Sequence, residues 1–237
     1  MERLDKIISH AFSLSRKEAK KCIRSGEVSV AGKVVTDPDC KADALQVTCG
    51  GKSAAYKEHI YIMLNKPAGI ISASESESER TVVDLVPEHL YRKGLFPAGR
   101  LDKDTVGFVL LTDDGQFAHD ILSPRKHVQK TYLVGTDKPV PQELPRIFEE
   151  GVELYDGTKC MSAALEILPE GNRAIVKIKE GRYHQIKRMF RVNGLSVTYL
   201  KRTAIGGLSL DETLAEGECR ELNEAEVNQI RAERNTD

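Results

Sequence analysis

The 237-residue sequence predicts an α+β protein: a small helix-and-hairpin module, then a larger domain on a mostly antiparallel sheet. Three observations lead there. Strand-like apolar runs outnumber helical patterns. No regular strand–helix alternation with glycine-rich phosphate loops occurs, which argues against a doubly wound parallel sheet. The charge is also uneven along the chain. Residues 1–57 hold 11 Lys and Arg against 7 Asp and Glu, while the remainder holds 24 against 29. A basic module on a mildly acidic domain suggests a handle for a polyanion, although an ordinary solvated surface has the same composition.

Composition bounds the class. Hydrophobic residues make up 40% of the chain, enough for a substantial core. No apolar run approaches the roughly 20 residues of a transmembrane helix, and MERLDKIISHAF lacks the apolar region of a signal peptide. The expectation is a cytoplasmic protein with no membrane partner. Five cysteines, Cys22, Cys40, Cys49, Cys160 and Cys219, are scattered, with no CxxC pair or Cys/His cluster. That supports neither a disulfide framework nor a zinc site, and it fits a reducing compartment.

In the first module, Leu4, Ile7, Ile8 and Ala11 recur at helical spacing over residues 2–11. Ser15 followed by Glu18 has capping-box spacing, and Gly26 is placed to end the helix that Ser15 starts. Ala19, Cys22 and Ile23 form the apolar stripe of that helix. Lys17, Lys20, Lys21 and Arg24 share the other side, and Arg16 extends the patch. Glu27 to Val30 alternates, Ala31-Gly32 turns, and Lys33 to Val35 returns as a strand. Two helices beside a hairpin, with one basic face, can grip a phosphate backbone by shape. The strings RLDKIIS and SRKEAKKCIRSGEVSVAGKVVTDP resemble an S4 domain, the RNA-binding module of ribosomal protein S4 and of many RNA-modifying enzymes. The resemblance implies RNA contacts from Arg16, Lys17, Lys20, Lys21 and Arg24.

The domain boundary is expected at 57/58, with the small, polar stretch GGKSAAYKEH at 50–59 as a linker that lets the module move. Residues 58–237 form the second domain. Ile60 to Asn65 reads as a strand stopped by Lys66-Pro67-Ala68-Gly69. SASESESER at 72–80 reads as a surface loop with no assigned chemistry. Val106 to Leu111 is apolar apart from Gly107, long enough for a buried strand and too short for a lone helix. Asp113 and Asp114 after it suit a turn. Further strands are expected near 130–134, 162–167, 174–178 and 197–200. Helices are expected near 116–122, 143–150 and 183–192, where Ile186, Met189 and Phe190 form the apolar stripe. Residues 223–237 read as a polar helix fraying into a tail.

Three segments can converge on one site. Gly99-Arg100-Leu101-Asp102 places a carboxylate at the edge of a buried strand, where it is costly unless a cation or hydrogen bonds hold it. Lys130-Thr131-Tyr132 opens a strand with a phenol among apolar neighbours. EGRYHQIKRMF at 180–190 passes through a glycine turn into a helix on which Lys187, Arg188 and Arg191 cannot all face the core. Plainer roles stand beside these. Asp102 can cap a turn, with Asp104 as a rival carboxylate; Tyr132 can be a core tyrosine, Lys187 a solvated lysine, and Arg100 a local ion-pair partner.

Five strings in order, YIMLNKPAG, GRLDKDTVGFVLLTDDG, SPRKHVQKTYLV, EGRYHQIKRMF and LKRTAIGGLSLD, resemble the pseudouridine synthases of the RsuA group, which modify ribosomal RNA. The resemblance spans nearly the whole chain. It implies Asp102 as nucleophile, Tyr132 as the residue against the target base, and Lys187 as the cation paired with Asp102. Arg100 becomes a wedge that helps extrude the base, and His184, Gln185 and Arg188 become RNA contacts. Isomerising uridine cuts the N1–C1′ bond, turns the uracil and rejoins it through C5, so the implied reaction needs neither cofactor nor metal. The resemblance leaves open whether Asp102 attacks C1′ or acts through a glycal. HQIKRMF, with lysine at 187, is closest to the members acting on small-subunit RNA, which implies that RNA or its assembly particle as partner of a monomeric enzyme. A synthase for large-subunit RNA is the narrower rival, and a non-catalytic ribosome-assembly factor is the rival from another class.

Overall fold

The computed structural model describes residues 1–12, 14–54, 58–123, 126 and 128–232. They fall into two compact units, Met1–Glu58 and His59–Asp237. In the first, β1 (Glu2–Arg3) leads into α1 (Leu4–Ala11), which buries Leu4, Ile7 and Ile8. The following helix, α2 (Arg16–Arg24), buries Ala19 and Ile23, so the apolar stripes read from the sequence are the packed faces. Ser15 Oγ accepts from the Glu18 amide, and the Glu18 carboxylate accepts from the Ser15 amide, a complete capping box.

Strands β2 (Val28–Val30) and β3 (Lys33–Val34) turn through Ala31 and Gly32, both at positive φ, as a two-residue hairpin requires. The short β4 (Lys41–Ala42) pairs with β1, and β5 (Val47–Cys49) and β6 (Lys52–Ser53) complete a sheet ordered β3-β2-β5-β6. Here the structure corrects the expected linker. Gly50 and Gly51, at φ 55° and 77°, form the tight turn between β5 and β6, and Ala54 is buried in the core of this unit. Residues 55–57 of that stretch lie outside the described residues.

The second unit follows the order β7 (Tyr61–Lys66), β8 (Phe96–Pro97), β9 (Val106–Thr112), α3 (Gly115–Leu122), β10 (Lys130–Thr136), α4 (Leu144–Glu150), β11 (Ala164–Ile167), β12 (Arg173–Ile178), α5 (Gln185–Val192), β13 (Val197–Ile205), β14 (Leu208–Ser209), β15 (Cys219–Glu221) and α6 (Glu224–Ala232). Its sheet runs β11-β12-β10-β13-β9-β7-β15, with β14 on β13 and β8 on β9. Pairing is antiparallel except between β9 and β13. The protein is therefore α+β.

Both faces of the sheet are covered. Ile62, Leu64, Val109 and Leu111 pack with Phe148 of α4 and Phe190 of α5, while Met63, Phe108 and Leu110 pack with Phe117 of α3 and Ile230 of α6. All seven residues of β9 are buried, which is why the sequence there is a near-continuous apolar run rather than an alternation. Asp114 caps α3 by accepting from the Phe117 amide, and Asp113 accepts from the Ile60 amide. The C-terminal helix expected from residue 223 is present as α6, and it is packed rather than merely polar, because Val227 and Ile230 sit in the core. Residues 233–237 lie outside the described residues.

One lysine ties the end of β7 to the turn before β9. Lys66 is fully buried, and its Nζ donates to the carbonyls of Pro67 at 3.0 Å, Lys103 at 3.2 Å and Thr105 at 2.8 Å. Burial pushes its pKa down to about 8, while Asp104 and Asp102 nearby act in the other direction. The Gly69 amide adds a fourth link by donating to the Lys103 carbonyl. At the parallel β9–β13 junction Gly107 has φ 96°, and a Cβ there would lie 2.3 Å from the Arg202 carbonyl oxygen.

Two predictions follow from this clamp and this junction. Gly107→Ala combines a disfavoured backbone with a backbone clash and should destabilise the fold by about 3 kcal/mol or more. Lys66→Met leaves carbonyls without a donor and should lose a similar ~3 kcal/mol. Urea midpoints of the purified variants check both, and a midpoint within error of wild type would refute either.

Candidate active site

The turn from Gly99 to Thr105 carries the central carboxylate, and three sets of contacts fix it. Lys66 holds its second half from below. Ser72 Oγ accepts from the Leu101 amide and donates to the Leu101 carbonyl, both at 3.0 Å. The Thr105 amide donates to the Asp102 carbonyl at 3.1 Å, and Glu79 pairs with Lys103. The loop at 72–80, to which the sequence assigned no chemistry, thus holds this turn at two places. The sequence offered no sign of it, because Ser72 differs from the exposed serines after it only in where it packs.

From the other side comes the N-terminus of α5. Glu180 is buried and accepts from the Met161 amide, Arg182 Nε and Gln185 Nε2, while Gln185 Oε1 accepts from the Arg182 amide. Gln185, expected to touch RNA, is therefore buried with both ends of its amide engaged in holding this turn. His184 precedes the helix in the left-handed backbone region, φ 47° and ψ 35°, an unfavourable place for a non-glycine residue. That conformation puts its Nε2 3.4 Å from Asp102 Oδ1.

One helical turn along, Lys187 Nζ lies 2.9 Å from Asp102 Oδ2 and 2.6 Å from Asp104 Oδ1. Burial alone would lower the Lys187 pKa, but its hydrogen bonds to Asp104 and Asp102 outweigh that and raise it above the ordinary lysine value. The same hydrogen bond holds Asp104 below the usual carboxylate range. Asp104 is thus neither a bystander nor simply a rival: it shares the cation. Asp102 itself is 27% exposed, less buried than the sequence reading required. The ion pair with Lys187 holds the carboxylate, as a cation was expected to.

These groups line one cavity with Arg100, Thr105, Tyr132, Ile178, Ile186 and Leu200. Its volume is about 90 Å³. At roughly 10–15 Å³ for each water-sized group, it accommodates about the atoms of one pyrimidine ring. Tyr132 is buried in the wall, and among the described residues its hydroxyl has no hydrogen-bond partner. Arg100 is exposed at the rim, without an ion-pair partner among the described residues. Thr105, which the sequence reading did not single out, has a buried Oγ1 with no partner among the described residues. Arg188, expected on RNA, is instead paired with Asp156 and does not line the cavity.

The basic face of the N-terminal unit is narrower than its sequence suggested. Asp5 of α1 is buried, and Arg16 and Lys20 of α2 reach it at 2.7 and 3.8 Å. Burial alone would raise the Asp5 pKa, but Arg3 and Arg16 outweigh that and lower it. Lys17, Lys21 and Arg24 remain exposed, with no ion-pair partner among the described residues.

The sequence matches two family models, RNA pseudouridylate synthase over residues 60–191 and the S4 domain over residues 2–42. The uncharacterized RNA pseudouridine synthase YtzG of Bacillus subtilis is 46% identical over 230 residues, covering 95% of this chain and 96% of that protein. Ribosomal small subunit pseudouridine synthase A of Escherichia coli K12 is 41% identical over 227 residues, covering 95% and 98%. Among solved structures, a crystal structure of pseudouridylate synthase superimposes with a TM-score of 0.69 at 37% identity, covering 97% of this chain and 100% of that one. Together with the clustered carboxylates, lysine and tyrosine in a base-sized cavity, these matches place the chain in the RNA pseudouridylate synthase family, with an S4 domain at its N-terminus.

Proposed function

We propose that the protein converts one uridine of small-subunit ribosomal RNA to pseudouridine, with Asp102 acting at the ribose. The observation that carries this reading is the Asp102–Lys187 ion pair at 2.9 Å, set beside Tyr132 in a cavity sized for one base. The choice of RNA rests on the 41% identity to the small-subunit synthase of Escherichia coli over nearly the full length of both chains.

The reaction breaks N1–C1′, turns the uracil and forms C5–C1′; the proton on C5 leaves and N1 gains one. A carboxylate at the ribose stabilises the sugar while the base is detached. Lys187, shared between Asp102 and Asp104, keeps the turn fixed and offsets its negative charge. Tyr132 presents a ring against the uracil and a hydroxyl, unpartnered among the described residues, able to relay a proton. Arg100 at the rim enters the stack that the target uridine leaves, offsetting part of the few kcal/mol that extrusion costs. The S4 domain anchors flanking RNA through Lys17, Lys21 and Arg24, and the synthase domain carries the chemistry.

Asp102→Asn keeps shape and removes charge. It should lower pseudouridine formation by about a thousandfold or more with an unchanged urea midpoint. Carbodiimide mapping on unmodified small-subunit particles reads this: one new stop with wild type, none with the variant. Stops confined to large-subunit or transfer RNA would overturn the assigned substrate. Replacing Lys17, Lys21 and Arg24 with Ala should weaken RNA binding and flatten the plot of log affinity against log salt by about two to three units. An unaltered slope would show that this face does not carry the phosphate contacts.

A further inference from the structure

Tyr183, next in the chain to the cavity-lining His184, is 77% exposed. Its ring stacks on the His184 imidazole, with centroids 3.9 Å apart and planes 18° apart. His184 is fixed in turn by its left-handed backbone and by Asp102, 3.4 Å from its Nε2. The stack therefore leads from the central carboxylate outward to an aromatic face that, among the described residues, no other ring or cation covers. A tyrosine stacked on a cavity-lining histidine, with its ring exposed, is a platform without its partner.

The cavity has room for one base, so the nucleotides on either side of the target must lie outside it. Extruding the target strips one of them of its stacking neighbour. An aromatic side chain can supply the missing stack for any base, because every base has a π-face. Arg100, exposed on the same rim, is a cation near the phosphates of that segment.

We propose that Tyr183, backed by His184, is a stacking subsite for the nucleobase adjacent to the extruded uridine. This rests on the pseudouridine synthase reading and adds to it a second base-binding position, tolerant of base identity and intolerant of its absence. Binding there favours the extruded state, so its loss raises KM more than it lowers kcat.

The test uses the full-length protein and a ribosomal RNA fragment carrying the mapped uridine, intact or with one flanking nucleotide made abasic. Tyr183→Leu should raise KM on the intact fragment by about tenfold, with a smaller change in kcat. Tyr183→Phe, which keeps the ring, should restore KM to within about twofold. Removing the base that stacks should raise the wild-type KM similarly and add nothing to the Tyr183→Leu defect. A leucine variant with wild-type KM, or defects that add fully at both flanking positions, would overturn the subsite while leaving the reaction standing. No product from wild type on any ribosomal or transfer RNA would overturn the reaction, and the subsite with it.

Discussion

Three backbone carbonyls gathered around one buried ammonium set the geometry of the active turn. A lysine is hard to bury, and burial pulls the Lys66 pKa down to about 8. What makes the arrangement stable is that the ammonium has three donors and meets three acceptors, two of them in the stretch that carries Asp104. Carbonyls pulled toward a common centre leave the chain little freedom to flex. The side chains on the outside of the turn, Asp102 and Asp104, inherit that rigidity without being buried themselves. Ser72 does the same for Leu101.

On this fixed turn the charges can be balanced locally. One lysine serves two carboxylates, and a histidine approaches the first of them. A partly exposed carboxylate held by a cation is far less costly than a buried one, and it remains within reach of a large substrate. Full burial would have closed the site to RNA. The strain at His184 belongs to the same design: one residue in an unfavourable backbone region turns the end of α5 so that imidazole and ammonium both face the turn.

Much of the architecture was legible because it is local. The Ser15–Glu18 capping box, the Ala31-Gly32 hairpin and the apolar run of β9 depend on residues a few positions apart. The misreadings arose where a local pattern has two tertiary outcomes. Gly50-Gly51 suits a linker and a tight turn equally, and the pairing of β5 with β6 decides between them. Val227 and Ile230 look sparse in a polar stretch until the sheet face that covers them is known. Arg16 and Lys20 belong to a basic stripe by helical spacing, yet Asp5 on the neighbouring helix engages both.

The sequence by itself determined the elements, their order and, through resemblance, which carboxylate, tyrosine and lysine to examine. Periodicity and turn chemistry are written in neighbouring residues, and the motifs survive as strings. Only the tertiary structure decided which charged groups meet. Asp104 and Lys187 are 83 positions apart, and their pairing follows from the packing of α5 beside the turn before β9. The same holds for the inward-facing amide of Gln185, the engagement of Arg188 with Asp156, the buried hydroxyl of Thr105 and the exposed ring of Tyr183. Each is set by what long-range packing brings alongside a side chain, which no local pattern specifies.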